Sequence, residues 1–106
     1  MNDSGVAELA DVILVALGLR VVALVLYPLR AGQRPKLLVL ADDLPPADER
    51  QAFLAGRTPS GSLAAADIVL RTPEEFLSGP LEPDLGAGAR ILTDRRGIAL
   101  ARLRPI

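Results

Sequence analysis

The residues able to do chemistry in this chain are acids, arginines and hydroxyls, because its 106 residues include no Cys and no His. That excludes thiolate and imidazole metal sites, thiol nucleophiles, disulfide frameworks and serine-histidine relays. Three charged groups are close enough in sequence to be weighed. Arg30, Arg34 and Lys36 form a local basic cluster that could hold an anion such as a phosphate or a partner's carboxylate. Asp42 and Asp43 offer two carboxylates, but adjacent residues on an extended segment point to opposite faces and Leu44-Pro45-Pro46 marks a turn. No metal site is expected there. Glu74 and Glu75 fall in the first turn of a predicted helix, where the helix dipole and a reciprocal cap account for both without a general base. Gly86 and Gly88 lack a preceding strand and a following phosphate-binding helix, so they form no dinucleotide fingerprint.

The elements that must position these residues are legible from periodicity. Residues 4 to 17 place Val6, Leu9, Ile13, Ala16 and Leu17 at helical spacing, with Ser4 as N-cap and Gly18 where helices end. Val21 to Tyr27 and Lys36 to Ala41 are short, continuous apolar runs that read as strands buried on both faces. Eight residues join them, fewer than the dozen a parallel crossover needs, so the pair should be antiparallel. A second helix is expected over 46 to 55 with Phe53 and Leu54 turned inward. Gly56 to Ser62 is rich in Gly, Pro and Ser and reads as flexible. Ala66 to Arg71 is a third strand. It runs into Thr72-Pro73-Glu74-Glu75, a helix start with cap, first-turn proline and capping box. Gly79-Pro80 stops that helix, and a weak helical turn is expected around 83 to 89. Arg90 to Thr93 reads as a strand, followed by a turn at Asp94-Arg95-Arg96-Gly97. Ile98 to Leu103 fits a hairpin partner or a last helical turn equally well.

The order helix, strand, loop, strand, helix, strand, capped helix resembles the minimal nucleotidyltransferase domains of the DNA polymerase β superfamily over roughly residues 12 to 100. The segments LRVVALVLYPLRAGQRPKLLVLADDLP, AADIVLRTPEEF and ARILTDRRG carry the likeness. It implies an α/β (α+β) fold: a small mixed sheet of three to four strands with helices packed mainly on one face. In that family three carboxylates hold two Mg²⁺ ions, and a Gly-Ser pair cradles the phosphates. Here Pro28 and Leu29 stand where that pair belongs, and the two leading aspartates fall on Arg34 and Lys36. Proline has no N-H to give a phosphate and leucine has no hydroxyl. Arg30 matches the family's arginine, and Asp67 alone remains of the carboxylate triad. One carboxylate cannot hold the ions the transfer needs. The resemblance therefore implies a pseudoenzyme with a degenerate site, no metal, no cofactor, no catalytic residue and no expected nucleotide binding. Minimal nucleotidyltransferases pair with small helical HEPN-type proteins, so the implied role is a protein-protein interaction subunit, antitoxin-like or self-associating. The alternative is a metal-dependent nucleotidyltransferase completed by carboxylates from another chain.

The chain as a whole fits that role. Half its residues are apolar and 24% are charged, with 12 basic against 13 acidic side chains, which suits one domain over residues 1 to 106. A net charge of −1 and only three aromatic residues, Tyr27, Phe53 and Phe76, supply neither the basic field nor the stacking platforms of a nucleic-acid binder. The apolar stretch from Val12 to Leu29 is interrupted by Arg20, which opposes a membrane span. The acidic start of the chain, with Asp3, Glu8 and Asp11, opposes a signal peptide, and a cytoplasmic location is expected. Val12 to Leu17 is apolar at six successive positions, more than one helix face can bury against a sheet. A homodimer through this helix or through a sheet edge is the expected remedy.

Overall fold

Two strands that are apolar at nearly every position need cover on both sides, and that requirement sets the architecture. In the computed structural model, which describes residues 4–28, 32, 34–59, 61, 66–79 and 89–103, β1 (Val21–Leu26) is buried at all six positions. β2 (Lys36–Ala41) is buried at every position except Lys36. The two run antiparallel from Leu26 opposite Leu37 to Val21 opposite Ala41, with a bulge near Val22. The Tyr27 N-H extends the ladder by one bond, donating to the Lys36 carbonyl at 2.9 Å. β3 (Asp67–Arg71) pairs parallel to β2, with Lys36 opposite Asp67 and Leu40 opposite Arg71. β4 (Arg90–Asp94) pairs antiparallel to β1. The mixed four-stranded sheet therefore has the order β3-β2-β1-β4.

Side chains of β2 alternate between two cores, as the pleat requires. Leu37, Val39 and Ala41 pack on one face with Leu9, Ile13 and Leu17 of α1 (Ser4–Leu17) and Leu54 of α2 (Arg50–Ala55). Leu38 and Leu40 pack on the other with Phe76 of α3 (Pro73–Ser78) and Ala99 of α4 (Ile98–Leu103). The α/β class and the mixed sheet are as expected, whereas the placement of helices mainly on one face is corrected. Of the described helices, two lie on each side, because strands apolar at successive positions would otherwise leave one core open to water.

Local signals account for most element ends. Gly18 takes φ +57°, closing α1, and one 3₁₀ turn over Gly18–Arg20 leads into β1. The described part of α1 begins at Ser4, as expected, and the residues before it lie outside the described residues. A 3₁₀ turn at Ala47–Glu49 precedes α2, inside the expected 46 to 55. The ambiguous last segment is helical. Asp94 explains why: its two carboxylate oxygens accept the Ala99 and Leu100 N-H groups at 3.2 and 2.8 Å, and Gly97 turns the chain at φ +70°. The helical turn expected around 83 to 89 and the glycines at 86 and 88 lie outside the described residues, Ala89 apart. No helix among the described residues is long and apolar enough to cross a membrane. The hydrophobic stretch that begins at Val12 is divided between α1, the 3₁₀ turn holding Arg20, and β1.

Candidate functional site

Residues singled out by sequence meet at the end of the sheet where β1 finishes and β2 and β3 begin. Lys36 and Asp67 open their strands as register partners. The Asp67 N-H donates to the Pro35 carbonyl at 2.9 Å, fixing the start of β3 against the approach to β2. Arg34 Nε donates to Asp67 Oδ1 at 3.1 Å, and both side chains are more than half exposed. The Lys36 ammonium sits 4.8 Å from the centre of the Tyr27 ring, a cation-π contact. Two members of the proposed anion cluster and the surviving carboxylate are thus side by side. Arg30 and Leu29 lie outside the described residues. Chemically, Asp67 engages an arginine where the resemblance would have it engage a metal. In water such an exposed pair is worth about 1 kcal/mol or less.

The pair Asp42-Asp43 is a turn, as expected. Asp42 pairs with Arg96, and Asp43 takes the left-handed conformation at φ +58° that short polar side chains tolerate. Among the described residues, no group of three or more Asp and Glu side chains is placed to hold a metal ion.

A second constellation was not foreseen. Arg50, at the start of α2, is only 7% exposed. Its Nε donates to the Pro45 carbonyl at 2.8 Å, and one terminal nitrogen donates to the Leu70 carbonyl at 3.2 Å. The two terminal nitrogens grip Glu75 in a two-pronged pair at 2.6 and 3.1 Å. Glu75 meanwhile completes the predicted capping box. Its carboxylate accepts the Thr72 N-H at 3.0 Å, and its own N-H donates to the Thr72 hydroxyl at 3.2 Å. The Arg50 guanidinium and the Thr72 N-H hold the Glu75 carboxyl well below its usual 4.5, at about 2. One arginine therefore joins the loop before α2, the end of β3 and the start of α3. The signal was present: positions 50, 53 and 54 share a helix face, so turning Phe53 and Leu54 inward turns Arg50 inward too. A buried arginine then requires a buried acceptor.

The third feature is a surface. α1 buries Val6, Leu9, Ala10, Ile13 and Leu17, yet a second apolar stripe of Val12, Val15 and Ala16 runs beside them at the same helical spacing, and Leu19 follows in the 3₁₀ turn after Gly18. Val15 is 85% exposed and Leu19 92%. A shallow groove along this stripe is lined by Asp11, Val12, Val15, Ala16, Arg57 and Pro59. The Arg57 guanidinium lies over the ring of Phe53, 4.4 Å from its centre, and that of Arg20 lies over the same ring at 5.6 Å. The chemistry available here is adhesion: apolar area to be covered, with fixed cations beside it. Comparison with family models, with curated proteins and with solved structures gave no match, so no relative identifies a nucleotidyltransferase domain in this chain.

Proposed function

We infer that this chain is a non-catalytic interaction subunit whose contact surface is the outer face of α1. The observation that carries this reading is the exposed second stripe, with Val15 and Leu19 almost fully open to water. A helix apolar on two faces is a helix with two partners, and the sheet is only one of them. The β3 edge is a weaker candidate, because Gln51 donates to the Ile68 carbonyl at 2.9 Å and Arg50 to that of Leu70, so α2 already covers it. The pairing of Asp67 with Arg34 supports the non-catalytic part, as does proline at position 28 where a phosphate cradle would need a backbone donor. In the antitoxin-like form of the role the occupant is a small helical HEPN-type protein; in the self-associating form it is a second copy.

The test compares the native chain with a Val15→Ser, Leu19→Ser double variant, both purified from the source cells and analysed by size exclusion with light scattering. The native chain is expected in an assembly heavier than its own 11.2 kDa. The variant, folded by circular dichroism, is expected to run alone. Native and variant chains that both run as free monomers would overturn the reading.

A further inference from the structure

We propose that the occupant of the α1 face is a second copy of this chain, with the two α1 helices antiparallel about a two-fold axis passing near Val15. This rests on the reading of α1 as the contact surface and adds the partner and its orientation. The argument is one of charge. Glu8 and Asp11 stand in the first half of α1 and Arg20 in the 3₁₀ turn after its end, while Arg57 lines the groove with Val15 and Ala16 and shares the Phe53 ring with Arg20. Among the described residues none of these four side chains has an oppositely charged partner within ion-pair distance. The surface is thus apolar in the middle, with unanswered negative charge at one end and unanswered positive charge at the other.

Such a stripe is self-complementary in one orientation only. A helix rises about 1.5 Å per residue, so Asp11 lies about 6 Å before Val15 along α1, while Leu19 and Arg20 stand in the 3₁₀ turn beyond its end at Leu17. Reversing one copy about Val15 sets Asp11 of each protomer beside the Arg20 and Arg57 end of its partner, and the apolar side chains between them cover each other. A parallel arrangement would set acid against acid and guanidinium against guanidinium. The two-fold makes each contact occur twice, as an isologous interface requires. Phe53 contributes by holding both guanidinium groups, so little side-chain freedom is lost when the partner's carboxylates arrive.

The test uses charge reversal in the full chain. Asp11→Arg and Arg57→Asp change exposed side chains, and circular dichroism checks that each variant folds. Each alone places like charges together across the axis, and its dimer should dissociate about tenfold or more readily than the native one. An equimolar mixture of the two should restore association, because both pairs between positions 11 and 57 across the axis are then opposite in sign. Since the chain has no cysteine, Val15→Cys provides an independent readout: mild oxidation should convert it to a disulfide-linked dimer. A mixture that fails to recover, or a Val15→Cys chain that does not cross-link, overturns the antiparallel arrangement. A native chain that is monomeric yet binds a different protein through Val15 and Leu19 overturns the self-pairing and leaves the interaction reading standing.

Discussion

Arg50 and Glu75 are the charged residues on which the fold depends most, and acid should reveal it. The Glu75 carboxyl is lowered from 4.5 to about 2 in the folded chain, with its hydrogen bond to Arg50 the leading cause. The charged form is therefore favoured by folding. That contribution is complete above pH 4.5 and is lost as pH falls toward 2. Because the Glu75 side chain is 42% exposed, solvent screening reduces the effect to on the order of 1 to 2 kcal/mol. Melting temperature of the native chain should fall on acidification through this window, and Glu75→Gln should remove much of that dependence. At neutral pH the same substitution leaves the buried Arg50 half satisfied and should cost about 1 to 3 kcal/mol. Asp67 makes the opposite case. Its pair with Arg34 is exposed, so Asp67→Asn should change stability by about 0.5 kcal/mol or less in denaturant titrations. Millimolar nucleoside triphosphates with excess Mg²⁺ should leave the melting curve of either protein within about one degree. A Mg²⁺-dependent rise that disappears in Asp67→Asn would show a working metal site.

Among the elements, α3 is the one most fully encoded in its own sequence. Thr72→Ala removes half of its capping box and should cost about 1 kcal/mol, measurable as a lower denaturant midpoint with unchanged slope. That cap was legible because it closes within four residues. The antiparallel pairing of β1 and β2 was legible from the eight-residue link, and the ends of α1 from its spacing and Gly18. What sequence left undecided or misplaced depends on contacts distant in the chain. The last segment becomes helical because Asp94 caps it, a choice its apolar pattern does not record. The helices cover both faces because β1 and β2 are apolar on both; the strands' own pattern implied this, against the one-sided layering of the family likeness. Asp67 was placed beside Arg34 and Lys36 only through that likeness, whereas the Arg50 lock and the Arg20-Phe53-Arg57 contact need three elements to meet in space. α1 itself separates two roles by face. Ile13→Ala should destabilise the fold by about 2 to 5 kcal/mol, since Ile13 is fully buried. Val15→Ala, one helix face away, should leave the dilute, unassociated chain almost unchanged.

For the molecule as a whole, the described core is packed as an ordinary small protein is. The Cα radius of gyration is 13.1 Å, close to the roughly 13 Å of a compact chain of about 100 residues. The sheet is covered on both faces and the β3 edge is met by α2; among the described residues the most exposed large apolar side chains are Val15 of α1 and Leu19 of the turn after it, ahead of Leu77 of α3 and Leu100 of α4, and the surface around Val15 and Leu19 is the proposed contact. Association through that surface would stabilise the folded state by mass action, making the melting temperature rise with protein concentration. The most direct measurement is the light-scattering mass of the native chain and of the Val15→Ser, Leu19→Ser variant across a hundredfold range of concentration. The account predicts that the native mass reaches twice 11.2 kDa while the variant stays at that of one chain. Native and variant masses that coincide at every concentration would contradict it.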